Sequence, residues 1–224
     1  MNAHSLLLAF SEKVLKILNM KRVAFVIIVL LLSGCIGPQV NRDYISPPFV
    51  KDRADILYPA VYKCYGYTDT DAPPLFINNG FPPNAYYGFG EVIIDVNLFL
   101  EHDNDTMAFI IAHEFAHAKL NHVTKRLAVS YATSGIMMAT GFIVPGLGYI
   151  NYVINPAVTN NFSKTQEYDA DRMASETLIK CLNIPVDKQI HILEIIKSGS
   201  GSGGGFWSSH PSWDDRIANI KKAP

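Results

Sequence analysis

Cysteine is scarce in this chain: three in 224 residues, at Cys35, Cys64 and Cys181, with no C-x-x-C pair. That excludes the small zinc modules whose thiolate ligands come closely spaced. Positive charge is no more abundant. Lys and Arg number 19 against 20 Asp and Glu, a formal net charge of -1, so no basic excess suggests a nucleic-acid partner. Internal repeats are missing, which excludes a solenoid. Charge of either sign is absent over 37 positions, Leu127 through Ser163. The centre of that run, Gly135 to Ile150, is broken by four glycines and Pro145. This favours buried helix and loop in the core; a membrane-dipping or substrate-lining segment, and a full span, are the other readings.

What the chain does have begins at its N-terminus. Met20-Lys21-Arg22 is a basic start and Val23 to Leu32 is almost wholly apolar. The apolar stretch is too short to span a bilayer and has the flanks of a secretion signal. It closes on Leu32-Ser33-Gly34-Cys35, which matches the bacterial lipobox, where the signal is cut before a cysteine that then carries lipid. Residues 1–34 are therefore expected to be a signal peptide, with Met20 a candidate true start, and Cys35 the lipidated residue. The alternative is an N-terminal membrane anchor followed by an ordinary cysteine. Residues 35–48 read as a tether and 49–224 as one folded domain. Ile36 follows the lipid cysteine, and by resemblance to bacterial lipoproteins this favours the outer membrane, facing the periplasm, over retention at the inner one. In that compartment Cys64 and Cys181 either form a disulfide or stand as two buried thiols.

Along the domain, Lys51 to Tyr65 has helical spacing, Leu75-Phe76-Ile77 is a short strand among turns, and Glu91 to Asp95 is a compact apolar strand. Asp103 to Asp105 offers caps for a helix running from Met107 to Leu120. Further helices are expected over Ser163 to Cys181 and from Pro185-Val186-Asp187 onward. Ser198 to Gly205 is a Gly/Ser tract that reads as a flexible loop.

The helix from Met107 carries His113-Glu114-Phe115-Ala116-His117, an H-E-x-x-H motif. Histidines four apart lie one above the other on a helix face and can grip one metal ion. The glutamate is turned about 100° away, toward a water that the metal activates rather than toward the metal. Two histidines leave a metal site incomplete. The metzincin extension fails, because Leu120 and Val123 occupy the positions where that pattern needs glycine and histidine. Glu167, which opens the next clear helix, is the best third ligand; otherwise it is a solvated carboxylate complementing a helix dipole. Asp171 shares its face and can steady a liganding histidine. His122, five residues past the motif, is turned away from the 113/117 face if the helix continues, and reads as a helix-end histidine.

His113-Glu114-x-x-His117 with His122, then Glu167-x-x-Ala170-Asp171, then His210-Pro211-Ser212 leading to Arg216-Ile217, resembles the HtpX and CAAX prenyl protease-like (Ste24-type) family of gluzincin metallopeptidases. The likeness covers roughly Ile93 to Ile220 and is nearest to small periplasmic lipoprotein members. It implies an α+β fold, predominantly helical, with a small sheet whose edge strand lines the cleft. It implies one Zn2+ per chain, held by His113, His117 and Glu167, with Glu114 as general base and acid and Asp171 behind the ligands. His210 and Arg216 match a late motif that faces the cleft, where His210 would stabilise an oxyanion or cap the zinc at rest. The departure is at the approach to the sheet: Asn84-Ala85 matches, and Tyr86-Tyr87 stands where the family has proline and glycine.

The expected function is thus a zinc endopeptidase of the bacterial cell envelope, acting in quality control on unfolded or misassembled envelope proteins. Its substrate would pair with an edge strand near Glu91 to Asp95. The alternatives are a non-proteolytic zinc lipoprotein acting as chaperone or assembly factor, and an integral membrane protease. The expected partners are such substrates, the membrane through the lipid anchor, and envelope-assembly machinery, with no nucleic acid.

Overall fold

The computed structural model describes residues 43–80, 83–88, 90–143, 162–199, 210 and 213–222. The expected signal peptide, Cys35, most of the expected tether, the second half of the uncharged run and most of the Gly/Ser tract lie outside them. The first helix, α1, is Pro48–Cys64. It buries Val50, Ala54, Tyr58, Val61 and Tyr62, an i, i+4, i+7 stripe that faces the core.

Three short strands follow: β1 Leu75–Asn78, β2 Ala85–Gly88 and β3 Glu91–Asp95. Their order is β1-β3-β2, with β3 parallel to β1 (Leu75 opposite Val92) and antiparallel to β2 (Ala85 opposite Ile94). Gly90, at φ +86°, turns the chain between β2 and β3 where a side chain would be strained. The run Glu91 to Asp95 is therefore a central strand, flanked on both sides, and not the edge expected from its sequence. Its Val-Ile-Ile core is buried, as suits a strand covered on two faces.

Asp95 ends β3 and caps α2, Val96–Glu101, by accepting the Asn97 N–H. Asp103 caps α3, Asn104–Lys119, in the same way through the Thr106 N–H. Every residue of α3 from Thr106 to Ala118 is buried, which marks it as the central helix of the body. Around its Phe115 stand Tyr58, Tyr65 and Tyr67, with ring centroids 5.3–5.7 Å away. Tyr65 also donates its hydroxyl to the Ala112 carbonyl at 2.6 Å.

Asn121, at φ +55°, breaks the chain after α3, and α4, His122–Ile143, begins at once. Val129, Tyr131 and Ile136 of α4 are 53–66% exposed, so the part of the uncharged run in α4 lies largely at the surface, while Phe162 near the end of the run is buried. Among the described residues no helix is long and apolar enough to cross a membrane. Helix α5, Lys164–Leu182, opens with a capping box in which Ser163 and Gln166 exchange side-chain and backbone hydrogen bonds. It packs along α3. Helices α6, Val186–Gly199, and α7, Trp213–Ile220, complete the body. A disulfide joins Cys64 at the end of α1 to Cys181 near the end of α5, 117 positions on. By chain entropy, closing a loop of that size disfavours the unfolded state by about 4–5 kcal/mol.

Candidate metal centre

Helix α3 presents His113 and His117 toward α5, and the capping box fixes where α5 starts and so where Glu167 points. His113, Glu114, His117, Glu167, Asp171 and His210 are all 0% exposed, and Arg216 is 1% exposed. So much buried polarity demands internal partners.

The donor atoms converge. His113 Nε2 lies 3.0 Å from His117 Nε2 and 3.2 Å from His210 Nδ1. Glu167 Oε2 is 3.4 Å from His113 Nε2 and 2.9 Å from His210 Nδ1, while its Oε1 is 3.5 Å from His117 Nε2. One donor atom from each of His113, His117, Glu167 and His210 falls within 4.8 Å of all the others. Three ring nitrogens and a carboxylate at such distances repel through their lone pairs unless a proton or a metal cation lies among them. Tetrahedral zinc with bonds near 2.0–2.1 Å separates its ligands by about 3.3 Å. The residues therefore fit a four-coordinate metal ion.

Behind the ligands, His113 Nδ1 lies 3.0 Å from Asp171 Oδ1, so its proton sits there and its Nε2 lone pair faces inward. Arg216 holds Asp171 with two bonds, Nε and Nη2 each at 2.7 Å, the fork geometry that suits guanidinium and carboxylate. Arg216 Nη1 also stands 3.5 Å from Glu167 Oε2. The charges shift the ionisations accordingly. Burial works against the Asp171 anion, yet Arg216 outweighs it and holds the carboxyl below its usual range. Burial and Arg216 oppose the His113 cation, but Asp171 and Glu167 prevail and raise it to about 9, so a metal binding at Nε2 would displace a proton there. Burial keeps His117 neutral, well below the ordinary histidine range, with His113 adding to the effect.

Glu114 stands beside the cluster, not in it. Its Oε2 accepts the backbone N–H of Tyr87 at 2.8 Å, and its Oε1 lies 3.6 Å from His210 Nε2. Burial pushes its carboxyl up, against the pull of His210, His113 and the Tyr87 amide, the direction a base working near neutrality needs. The Tyr87 contact also shows that β2, an edge strand of the sheet, borders the site.

Of the residues expected from sequence, His113, His117, Glu167 and His210 share one cluster, with Glu114, Asp171 and Arg216 against it. His122 is a correction. It is not turned away: its Nδ1 lies 3.0 Å from His117 Nδ1. The face argument assumed an unbroken helix, whereas Asn121 in the left-handed region swings α4 back over the motif. Asparagine just past a helix end often takes that conformation, and it was the available signal. Phe162 also went unnoticed; it stacks on the His117 ring at 3.9 Å between centroids.

A buried H-E-x-x-H helix with a carboxylate from a following helix beside its two histidines defines a metallopeptidase. The chain belongs to peptidase family M48, whose pattern it matches over residues 52–223, and it is accordingly a metalloendopeptidase. It is 24% identical over 204 residues to the protease HtpX homolog of Salinibacter ruber (strain DSM 13855 / M31), covering 77% of this chain and 71% of that protein. It is 26% identical over 168 residues to the metalloprotease LoiP of Escherichia coli (strain K12), covering 73% of this chain and 62% of that one.

Proposed function

We propose that this M48 metallopeptidase is a zinc-dependent endopeptidase of the bacterial cell envelope that cleaves unfolded or misassembled proteins. The convergence of His113, His117, Glu167 and His210 with Glu114 alongside is the observation that carries the reading. Three neutral-capable nitrogens and one carboxylate suit zinc. When bound, zinc supplies a Lewis acid that polarises a scissile carbonyl and acidifies a water. Glu114, raised by burial, takes the proton of the attacking water and returns it to the leaving amine. The Tyr87 N–H fixes one Glu114 oxygen and leaves the other toward the cluster.

His210 occupies the fourth place at the cluster, which is the resting arrangement; substrate must displace it. An extended peptide would then pair along the edge of β2, Ala85–Gly88, in place of the Glu91 to Asp95 run. The lipobox ending at Cys35 supports a lipid tether and an outer-membrane position facing the periplasm, and the Cys64–Cys181 disulfide suits an oxidising compartment.

The test is casein cleavage and metal content of the wild type and Glu114→Gln. The variant is expected to keep its zinc and lose activity by about 10²–10⁴-fold. Undiminished cleavage by Glu114→Gln, or by wild type stripped with a chelator, refutes the assignment.

A further inference from the structure

We propose that His122 is a positioning residue of the metal site: its ring accepts the His117 Nδ1–H and thereby aims the His117 Nε2 lone pair at the metal. This rests on the metal reading above and deepens it. A liganding histidine gives one nitrogen to the metal and donates the proton on the other to an acceptor. For His113 that acceptor is Asp171. For His117 the atom in place is His122 Nδ1, at 3.0 Å. Two such nitrogens at that distance share a single proton. With His117 supplying it, the His122 proton sits on Nε2 and the ring is neutral.

His122 is itself held in place. It is 2% exposed, and its backbone carbonyl accepts the Gln166 side-chain amide at 3.4 Å. Gln166 is the capping-box residue of α5 and immediately precedes Glu167, so one short turn touches the supports of two ligands. One helical turn on, the Arg126 guanidinium lies 4.4 Å over the Phe162 ring, which stacks on the face of His117. His117 is thereby fixed on its edge by His122 and on its face by Phe162.

The neutrality of the acceptor has a physical reason. At the site the buried anions are Glu114, Glu167 and Asp171, and the buried cations are Arg216 and, when bound, a divalent metal. These balance. A carboxylate at position 122, mirroring Asp171, would leave one buried negative charge uncompensated, which is costly.

The experiment measures zinc affinity of the whole chain by chelator competition, and the visible spectrum of the cobalt-loaded protein, for wild type, H122A, H122N and H122Q. The Asn carboxamide oxygen falls where Nδ1 was, whereas that of Gln falls near Nε2. H122A and H122Q are expected to bind zinc about 10–100-fold more weakly with a changed cobalt spectrum, and H122N to stay near wild type in both. Equal affinity of H122N and H122Q, or wild-type affinity in H122A, overturns the proposal while leaving the metal site standing. Because the Asn and Gln variants fill similar space, their contrast decides even where H122A does not fold. A wild-type chain that binds no zinc overturns the metal reading, and this proposal with it.

Discussion

His113 and His117 are the same residue type on one face of α3, yet their surroundings are opposite in character. The His113 side is ionic: Asp171 at its Nδ1, Arg216 forked onto Asp171, and Glu167 within reach of both. The His117 side is mainly aromatic: His122 at its Nδ1 and Phe162 stacked on its ring, with the Arg126 guanidinium over the Phe162 ring. The difference shows how a buried site can support two ligands without accumulating charge. One is held by electrostatics that must be balanced, the other by shape and a single shared proton. The ionic side should therefore respond to charge removal, and the aromatic side to changes of volume.

Removing Arg216 should do most to break the contrast. Arg216→Met leaves Asp171 and Glu167 buried without their cation, and denaturant unfolding should show a loss of about 3–5 kcal/mol; a loss under about 1 kcal/mol would mean the pair is not the anchor its geometry suggests. Acid should act next, through Asp171 on the ionic side and through the buried neutral His117 on the other, since the unfolded state would protonate that ring first. The Asp171 carboxyl lies below its reference value of 3.8 in the folded protein, so its stabilisation is present above about pH 4 and disappears as pH falls through the depressed folded value. The stability gap between wild type and Asp171→Asn should thus shrink on acidification from pH 7 toward pH 3; a constant gap would speak against ionic support. Phe162→Leu should have the smallest effect, about 1 kcal/mol, and that effect should not vary over the same pH range. Thermal unfolding across the series checks it.

Much of this was legible in the sequence. The motif helix with its Asp103 cap, and the Glu167 helix opening at Ser163, follow local rules of periodicity and capping, and they stand where the residues indicate. Glu167 and Asp171 share a face because they are four apart on one helix, so their relation to the motif was accessible. Strand order was not. An apolar run such as Val92-Ile93-Ile94 announces a strand, but whether one or two neighbours cover it depends on partners remote in sequence. The exposed α4 shows the same limit: lack of charge from Leu127 onward does not determine burial. His122 turns on a single residue, Asn121, whose positive φ ends α3 and changes where the next side chain points.

The disulfide gives the ionic and aromatic halves different histories. Residues 64 to 181 form a covalent ring, and His117, His122 and Phe162 lie wholly inside it. His113, Glu167 and Asp171 lie in the ring too, but Arg216 and His210 belong to the tail beyond it. The aromatic half is thus complete within one closed loop, whereas the ionic half exists only when the tail returns to dock. That docking is intramolecular, so the intervening chain and not the protein concentration governs it. Holding the metal and covering it are, in this topology, tasks given to two different pieces of the same polypeptide.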